Sequence, residues 1–241
     1  MARVSSSFRA ALYDYYFLLG RGYPPRAASQ LVAAGRMLGR GSRVLLARCI
    51  PAVGGGFRIV ESVEGHCLAV DGFNQLAGIY ALLLGEPLYR CLDGVVRDSL
   101  LAGADRVARV AGLLAPLLAA VLLRDGPPAR VVAVFDSQPS RSGEAARAVG
   151  EVLRSVLGGD VEVAVVRKAD KTLVELAGGG CVVASSDAVV LRGARVVYDA
   201  VARASLAVSR GLGAAVIDIP RLLRGEHSSW CSGGGLEGAG P

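Results

Sequence analysis

The chain has 241 residues, 52% of them hydrophobic and 20% charged, with 27 basic and 21 acidic side chains giving a net charge of +6. That hydrophobicity excludes a disordered chain, and the length allows one or two domains with a sizeable core. The longest apolar stretch, Val110 to Leu123, is interrupted by Pro116 and falls short of the roughly 20 residues a bilayer core requires, so no membrane span is expected. Met1–Arg9 has no apolar region suited to export. The five cysteines form no CxxC pair, so the reading is a cytoplasmic protein with reduced thiols and no zinc site.

The charge is unevenly distributed. Residues 1–60 hold nine arginines and one acid, Asp14, for a net charge of +8, while residues 61–241 carry −2. Such asymmetry points to a polyanionic partner, nucleic acid before membrane. An arginine-rich composition with a merely solvated face is the competing explanation, since lysine occurs only at Lys168 and Lys171.

In chain order, Ser5–Ser7 caps a helix running through Leu19, with Phe8, Leu12, Tyr16 and Leu19 at helical spacing. Pro24–Pro25 opens a second helix to about Leu38, and a short third one ends at Cys49 before Pro51. Together they make a small basic helical segment, residues 1–60, resembling either a helix-turn-helix or a helical cap. Gly54–Gly56 reads as a linker. Beyond it, short β-rich runs at Cys67–Val70, Val131–Phe135, Val161–Val166 and Cys181–Ala184, with a later one at Ala214–Ile217, alternate with helical stretches. Those stretches are Gln75–Leu84, Ala104–Leu123, Glu144–Leu157 and Thr172–Ala177. This pattern predicts an α/β domain over residues 61–224, its mostly parallel sheet covered by helices on both faces. Leu88–Ser99, with Asp93-Gly94 at its centre, reads as an inserted hairpin. The glycine- and serine-rich stretch 225–241 reads as a flexible tail.

In a parallel α/β sheet, sites form at the carboxyl ends of strands. Asp71, Asp136 and Asp187 follow predicted strands, and Asp170 opens the helix after another. Carboxylates gathered there repel one another unless a hard cation such as Mg²⁺ or Mn²⁺ lies between them. Such an ion polarises phosphoryl oxygens and supplies a nucleophile near neutral pH. Any one of these aspartates taken alone is better explained as a helix cap, but four gathered on one edge favour a site. There is no Walker A or GxGxxG motif, and Phe73 stands where an aspartyl phosphatase would carry its second acid.

Four segments, Arg21-Gly22-Tyr23-Pro24, Val70-Asp71-Gly72-Phe73-Asn74, Cys91 to Asp98 and Asp136 to Gly143, resemble an archaeal family catalogued as a domain of unknown function. Residues 65–200 more distantly resemble the PIN-like nucleases of the NYN branch. Asp71 to Asn74 matches their Asp-Gly-x-Asn, Asp136 their second strand-ending acid, and Ala169-Asp170 with Ser185-Ser186-Asp187 their last two motifs. The resemblance implies a metal-dependent ribonuclease with Asp71, Asp136, Asp170 and Asp187 as the acidic site, of which Asp71, Asp170 and Asp187 would hold the metal. It departs at Ala188-Val189, where many relatives carry a further acid.

Asn74, Lys168, Lys171 and Arg141 are candidate substrate contacts; the alternatives are a turn former for Asn74, charges that keep Asp170 ionised for the two lysines, and a surface charge for Arg141. Asp93 and Asp98 are candidates to extend the acidic site, and Tyr13, Tyr15 and Tyr16 to stack on bases or fill a core. His66 is expected beside the first strand and His227 in the tail. The expectations are a metal-dependent nuclease acting on RNA, or an RNA- or ribonucleoprotein-binding protein that keeps the fold without turnover. A phosphatase using the same acids comes third.

Overall fold

The computed structural model describes residues 6–49, 56–100, 102–212 and 216–224. In chain order the elements are α1 (Ser6–Gly20), α2 (Pro25–Gly35), α3 (Arg40–Cys49), β1 (Arg58–Val60), β2 (Cys67–Asp71), α4 (Gly72–Leu83), β3 (Leu88–Arg90), β4 (Val96–Asp98) and α5 (Ala104–Arg124). There follow β5 (Arg130–Asp136), α6 (Ser142–Leu157), β6 (Asp160–Val166), α7 (Ala169–Gly178), β7 (Val182–Ala184) and α8 (Ala188–Gly193). The last four are β8 (Val196–Tyr198), α9 (Ala200–Leu212), β9 (Val216–Asp218) and α10 (Ile219–Leu223).

Six strands form one sheet in the order β1-β8-β7-β2-β5-β6, every neighbouring pair parallel. The expected α/β architecture is therefore present. Successive side chains of a strand point to opposite faces, and both faces here are buried. On one, Leu68, Val70, Val131, Ala133 and Phe135 share a core with α4, α5, α6 and α9. On the other, Ala69, Val132 and Val134 pack with Leu173 and Ala177 of α7 and Val190 and Leu191 of α8. Covering on both faces is why β2 and β5 read as unbroken apolar runs rather than alternating ones.

The hairpin of β3 and β4 is antiparallel, as the Asp93-Gly94 turn predicts. The later strand does not join the main sheet: β9 pairs in parallel with β3, giving a three-stranded sheet of order β4-β3-β9. That small sheet is the joint of the molecule. Leu88 and Val96 enter the main core, whereas Cys91 and Ile217 enter the core of the helical segment with Phe8, Leu12, Tyr15, Val32, Leu45 and Leu46.

Three expectations need correction. Pro116 does not interrupt its apolar stretch, because α5 continues through it from Ala104 to Arg124. A proline inside a helix costs about 3 kcal/mol, but α5 buries nine side chains against its neighbours, and that burial outweighs the lost backbone bond. The helix is long and apolar enough to cross a membrane by composition, with half of its apolar window buried inside the protein. Second, four of the five cysteines are paired, Cys49 with Cys91 and Cys67 with Cys181. Their separations of 42 and 114 residues gave no pattern to read. Third, β1, β8, α8, α9 and α10 were not foreseen, because elements this short or lacking a β-rich run carry little periodicity. The Ser5 cap position, most of the Gly54–Gly56 linker, and the 225–241 tail with His227 lie outside the described residues.

Candidate active site at the carboxyl edge of the sheet

Parallel strands share one carboxyl edge, and the four aspartates line it. Asp71 ends the central strand β2, Asp136 ends its neighbour β5, Asp170 lies in the first turn of α7 after β6, and Asp187 follows β7 as the N-cap of α8. Asp71 is set by Gly72: a Cβ there would come within 2.5 Å of the Phe135 ring. Phe73 then packs edge-on against Phe135, with ring centroids 5.1 Å apart. The strand-to-helix turn can thus close tightly against β5 only with glycine after the aspartate.

Asp71 is only 8% exposed. Burial pushes its carboxyl up to about 7; the Ser185 hydroxyl, which donates to Oδ2 at 2.7 Å, pulls the other way, and the charges of Asp187 and Asp170 add to the rise. Asp170 is also raised, first by burial, then by Asp187 and Asp136. All four acids therefore act within one electrostatic neighbourhood. Two of them also serve the backbone: Asp187 Oδ1 accepts the Val189 amide at 2.7 Å, and Asp136 Oδ1 the Gln138 amide at 2.9 Å. Among the described residues no three carboxyl, histidine or cysteine groups are gathered closely enough to ring one metal ion.

The edge is braced by Asn74, read from the sequence as a substrate contact, and by Gln75, Arg97 and Ser186, which the sequence did not single out. The Asn74 carboxamide oxygen accepts the Ser186 amide at 2.8 Å, the Ser186 hydroxyl at 3.0 Å and Gln75 Nε2 at 2.9 Å, so α4 fixes the loop that presents Asp187. Arg97 is buried, donates from Nε to the Ser186 carbonyl at 2.9 Å and grips Asp93 with both terminal nitrogens at 2.8 and 2.6 Å. Asp93 also accepts the Val95 amide at 3.2 Å, so it is committed to the hairpin and does not extend the acidic edge. The Ser185-Ser186-Asp187 run was the one available signal, and only its aspartate was read from it.

The remaining candidates are placed as follows. Lys168 is exposed and caps α7 by position; Lys171 faces Glu175 at 3.6 Å. Arg141, in a left-handed backbone conformation, donates to Glu144 at 2.6 Å. Tyr15 is fully buried in the helical core, whereas Tyr16 is 58% exposed and Tyr13, 40% exposed, donates its hydroxyl to the Leu223 carbonyl at 2.7 Å. His66 is exposed just ahead of β2, at the opposite edge from the acids.

The fold and its edge define an α/β protein with an acid-lined carboxyl edge, one aspartate buried and three nearby. The profile of the family described as "Domain of unknown function (DUF5616)" matches residues 60–203, and the chain belongs to that family. Residues 7–52 match a second profile, "Protein of unknown function (DUF434)", which spans α1 to α3. An uncharacterised protein of Methanocaldococcus jannaschii is 27% identical over 201 residues, covering 80% of this chain and 92% of that protein. No solved structure matches.

Proposed function

We propose that the protein is a PIN-like, metal-dependent ribonuclease whose reaction is carried by the aspartates of the carboxyl edge. The observation that carries this reading is Asp71: a carboxyl group buried at the centre of the sheet edge and pressed by the charges of Asp170 and Asp187. Burying such a group is unfavourable without a positive partner. The donor set is all carboxylate oxygen, which suits Mg²⁺ or Mn²⁺ rather than a softer metal. Asp71, Asp170 and Asp187 would hold the ion, which supplies Lewis acidity and an activated water. Gathering them requires side-chain rotation, since Asp187 caps α8. Asp136, bonded to Gln138, is suited to orient a water or substrate hydroxyl. The basic helical segment and the exposed Lys168 would hold the RNA backbone, and a cytoplasmic location is consistent with an RNA substrate. The two disulfides fit that location only in a cytosol of the hyperthermophile kind, where intracellular proteins carry such bonds.

Incubation of the purified full chain with labelled structured and single-stranded RNA tests this, in Mg²⁺, in Mn²⁺ and in chelator. Cleavage that chelator stops is the expected result. Binding that leaves every RNA intact favours the second reading, an RNA- or ribonucleoprotein-binding protein. That reading is supported by the backbone amides that Asp136 and Asp187 accept and by Ala188-Val189 following Asp187.

A further inference from the structure

Beside the acidic edge lies a cavity of about 280 Å³ lined by Arg48, Phe73, Asn74, Ala77, Asp98, Ala102 and Ala104. Most of its wall belongs to the α/β domain, but Arg48 comes from α3, in the helical segment. Its placement is firmly built. The next residue, Cys49, is disulfide-bonded to Cys91 of the hairpin, and the Cys49 carbonyl accepts the Leu92 amide at 3.0 Å. At the other end of the helix, a Cβ on Gly41 would stand 3.7 Å from the Ser99 carbonyl, so α3 lies along the hairpin. Among the described residues the Arg48 guanidinium, only partly exposed, makes no hydrogen bond and no ion pair. Burial lowers its proton affinity, while Asp98 and Asp187 favour its charged form from beyond ion-pairing distance.

An arginine stays charged in any protein environment, and holding one half-buried without a partner is unfavourable unless an anion completes it. The lining combines the Arg48 cation and the Asn74 side chain with apolar Phe73, Ala77, Ala102 and Ala104. That combination suits a phosphate with its attached sugar or base. Asp98 also lines the cavity, so a single phosphodiester charge fits better than a dianion.

We propose that Arg48, delivered by the helical segment, forms with Asn74 the subsite that holds one phosphodiester of an RNA strand next to the acidic edge. This rests on the ribonuclease reading and deepens it: the helical segment would complete the site rather than supply only diffuse positive charge. Arg48 is a binding residue here, and one whose position depends on the Cys49–Cys91 bridge.

The test uses the full chain and a labelled single-stranded RNA oligonucleotide, in chelator for binding and in Mg²⁺ or Mn²⁺ for cleavage. Arg48→Met keeps the aliphatic stem and removes the charge; Arg48→Lys keeps the charge and loses the fork. Arg147→Ala, an exposed arginine of α6 paired with Glu151, is the control. The expected result is an affinity at least tenfold weaker for Arg48→Met, with the slope of log affinity on log salt smaller by about 0.7, one phosphate contact on a single strand. Arg48→Lys should be intermediate and Arg147→Ala unchanged. The thermal midpoint of Arg48→Met should be equal to or above that of the wild type, since a half-buried charge with no partner among the described residues is removed. A lower midpoint with unchanged RNA affinity would mark Arg48 as structural and overturn the subsite. Cleavage by the wild type with equal affinity in Arg48→Met overturns the subsite and leaves the nuclease reading intact. Binding lost in Arg48→Met without wild-type cleavage supports the subsite and removes the nuclease. A wild type that neither binds nor cleaves RNA overturns both.

Discussion

Ser185 Oγ donates to Asp71 Oδ2 at 2.7 Å, joining two neighbouring strands of the sheet through residues 114 positions apart in sequence. The bond favours the ionised carboxylate, yet burial and the neighbouring acids win, and Asp71 titrates near 7. Removing the hydroxyl removes the main opposing influence. Ser185→Ala should therefore raise the Asp71 pKa further, which carboxyl-resolved NMR titration of the metal-free protein will read.

The same shift dictates a pH dependence of stability. An unfolded aspartate titrates near 3.9, whereas Asp71 in the folded protein does so at about 7. Between those values the native state binds the extra proton, so its stability falls as pH rises and levels off above about 7. The full effect is bounded at about 4 kcal/mol. Asp71→Asn should flatten the profile and leave the metal-free protein more stable than wild type at pH 8 in urea unfolding. A variant less stable than wild type at that pH contradicts the assignment.

On the catalytic reading, Asp71→Asn and Asp187→Asn should each abolish Mg²⁺- or Mn²⁺-dependent cleavage while the fold persists by circular dichroism. Asp160→Asn, an exposed partner of Arg130 at 3.4 Å, should leave activity unchanged. Residual activity above about one-hundredth of wild type in Asp187→Asn would exclude it as a metal ligand.

Arg97 and Asp93 form a buried pair at 2.6 Å that also anchors the Ser186 carbonyl. Breaking one partner strands the other, at a cost of about 3–5 kcal/mol. Asp93→Ala should lower stability by that amount, and the double variant Asp93→Leu with Arg97→Met should recover part of it. Urea unfolding of the three proteins provides the comparison.

The two disulfides close loops of different length, with separations of 42 and 114 residues. Loop-closure entropy makes the longer one about 0.9 kcal/mol more stabilising, within a range of about 2–4 kcal/mol for each. Reductant should lower the thermal midpoint, and Cys67→Ser should cost more stability than Cys49→Ser. The latter should weaken RNA binding more, because it frees the residue next to Arg48.

Much of the fold was legible in the chain itself. Apolar runs at β2 and β5, separated by amphipathic stretches of helical length, leave few arrangements other than a parallel sheet covered on both faces, because neither run has a polar side to turn to water, whereas the edge strand β6 keeps Glu162 exposed. The aspartates at the strand ends were legible for the same reason: parallel strands all finish at one edge, so an acid after each must meet the others there. Asp93-Gly94 announced its hairpin through turn chemistry alone.

What the tertiary structure decided is everything that depends on partners far apart in sequence. The pairings Cys49–Cys91 and Cys67–Cys181, the placement of β9 beside β3, and the grip of Asn74 on Ser186 across 112 positions have no local signature. It also decided which polar residues are committed: Asp93 is held by Arg97 and Arg141 by Glu144, while Arg48 lines a cavity and has no hydrogen-bond or ion-pair partner among the described residues. Sequence fixes the chemistry of each side chain, but its surroundings arise only when the chain closes. Burial, Coulomb forces and hydrogen bonding act over a few ångströms in space, whatever the distance along the backbone.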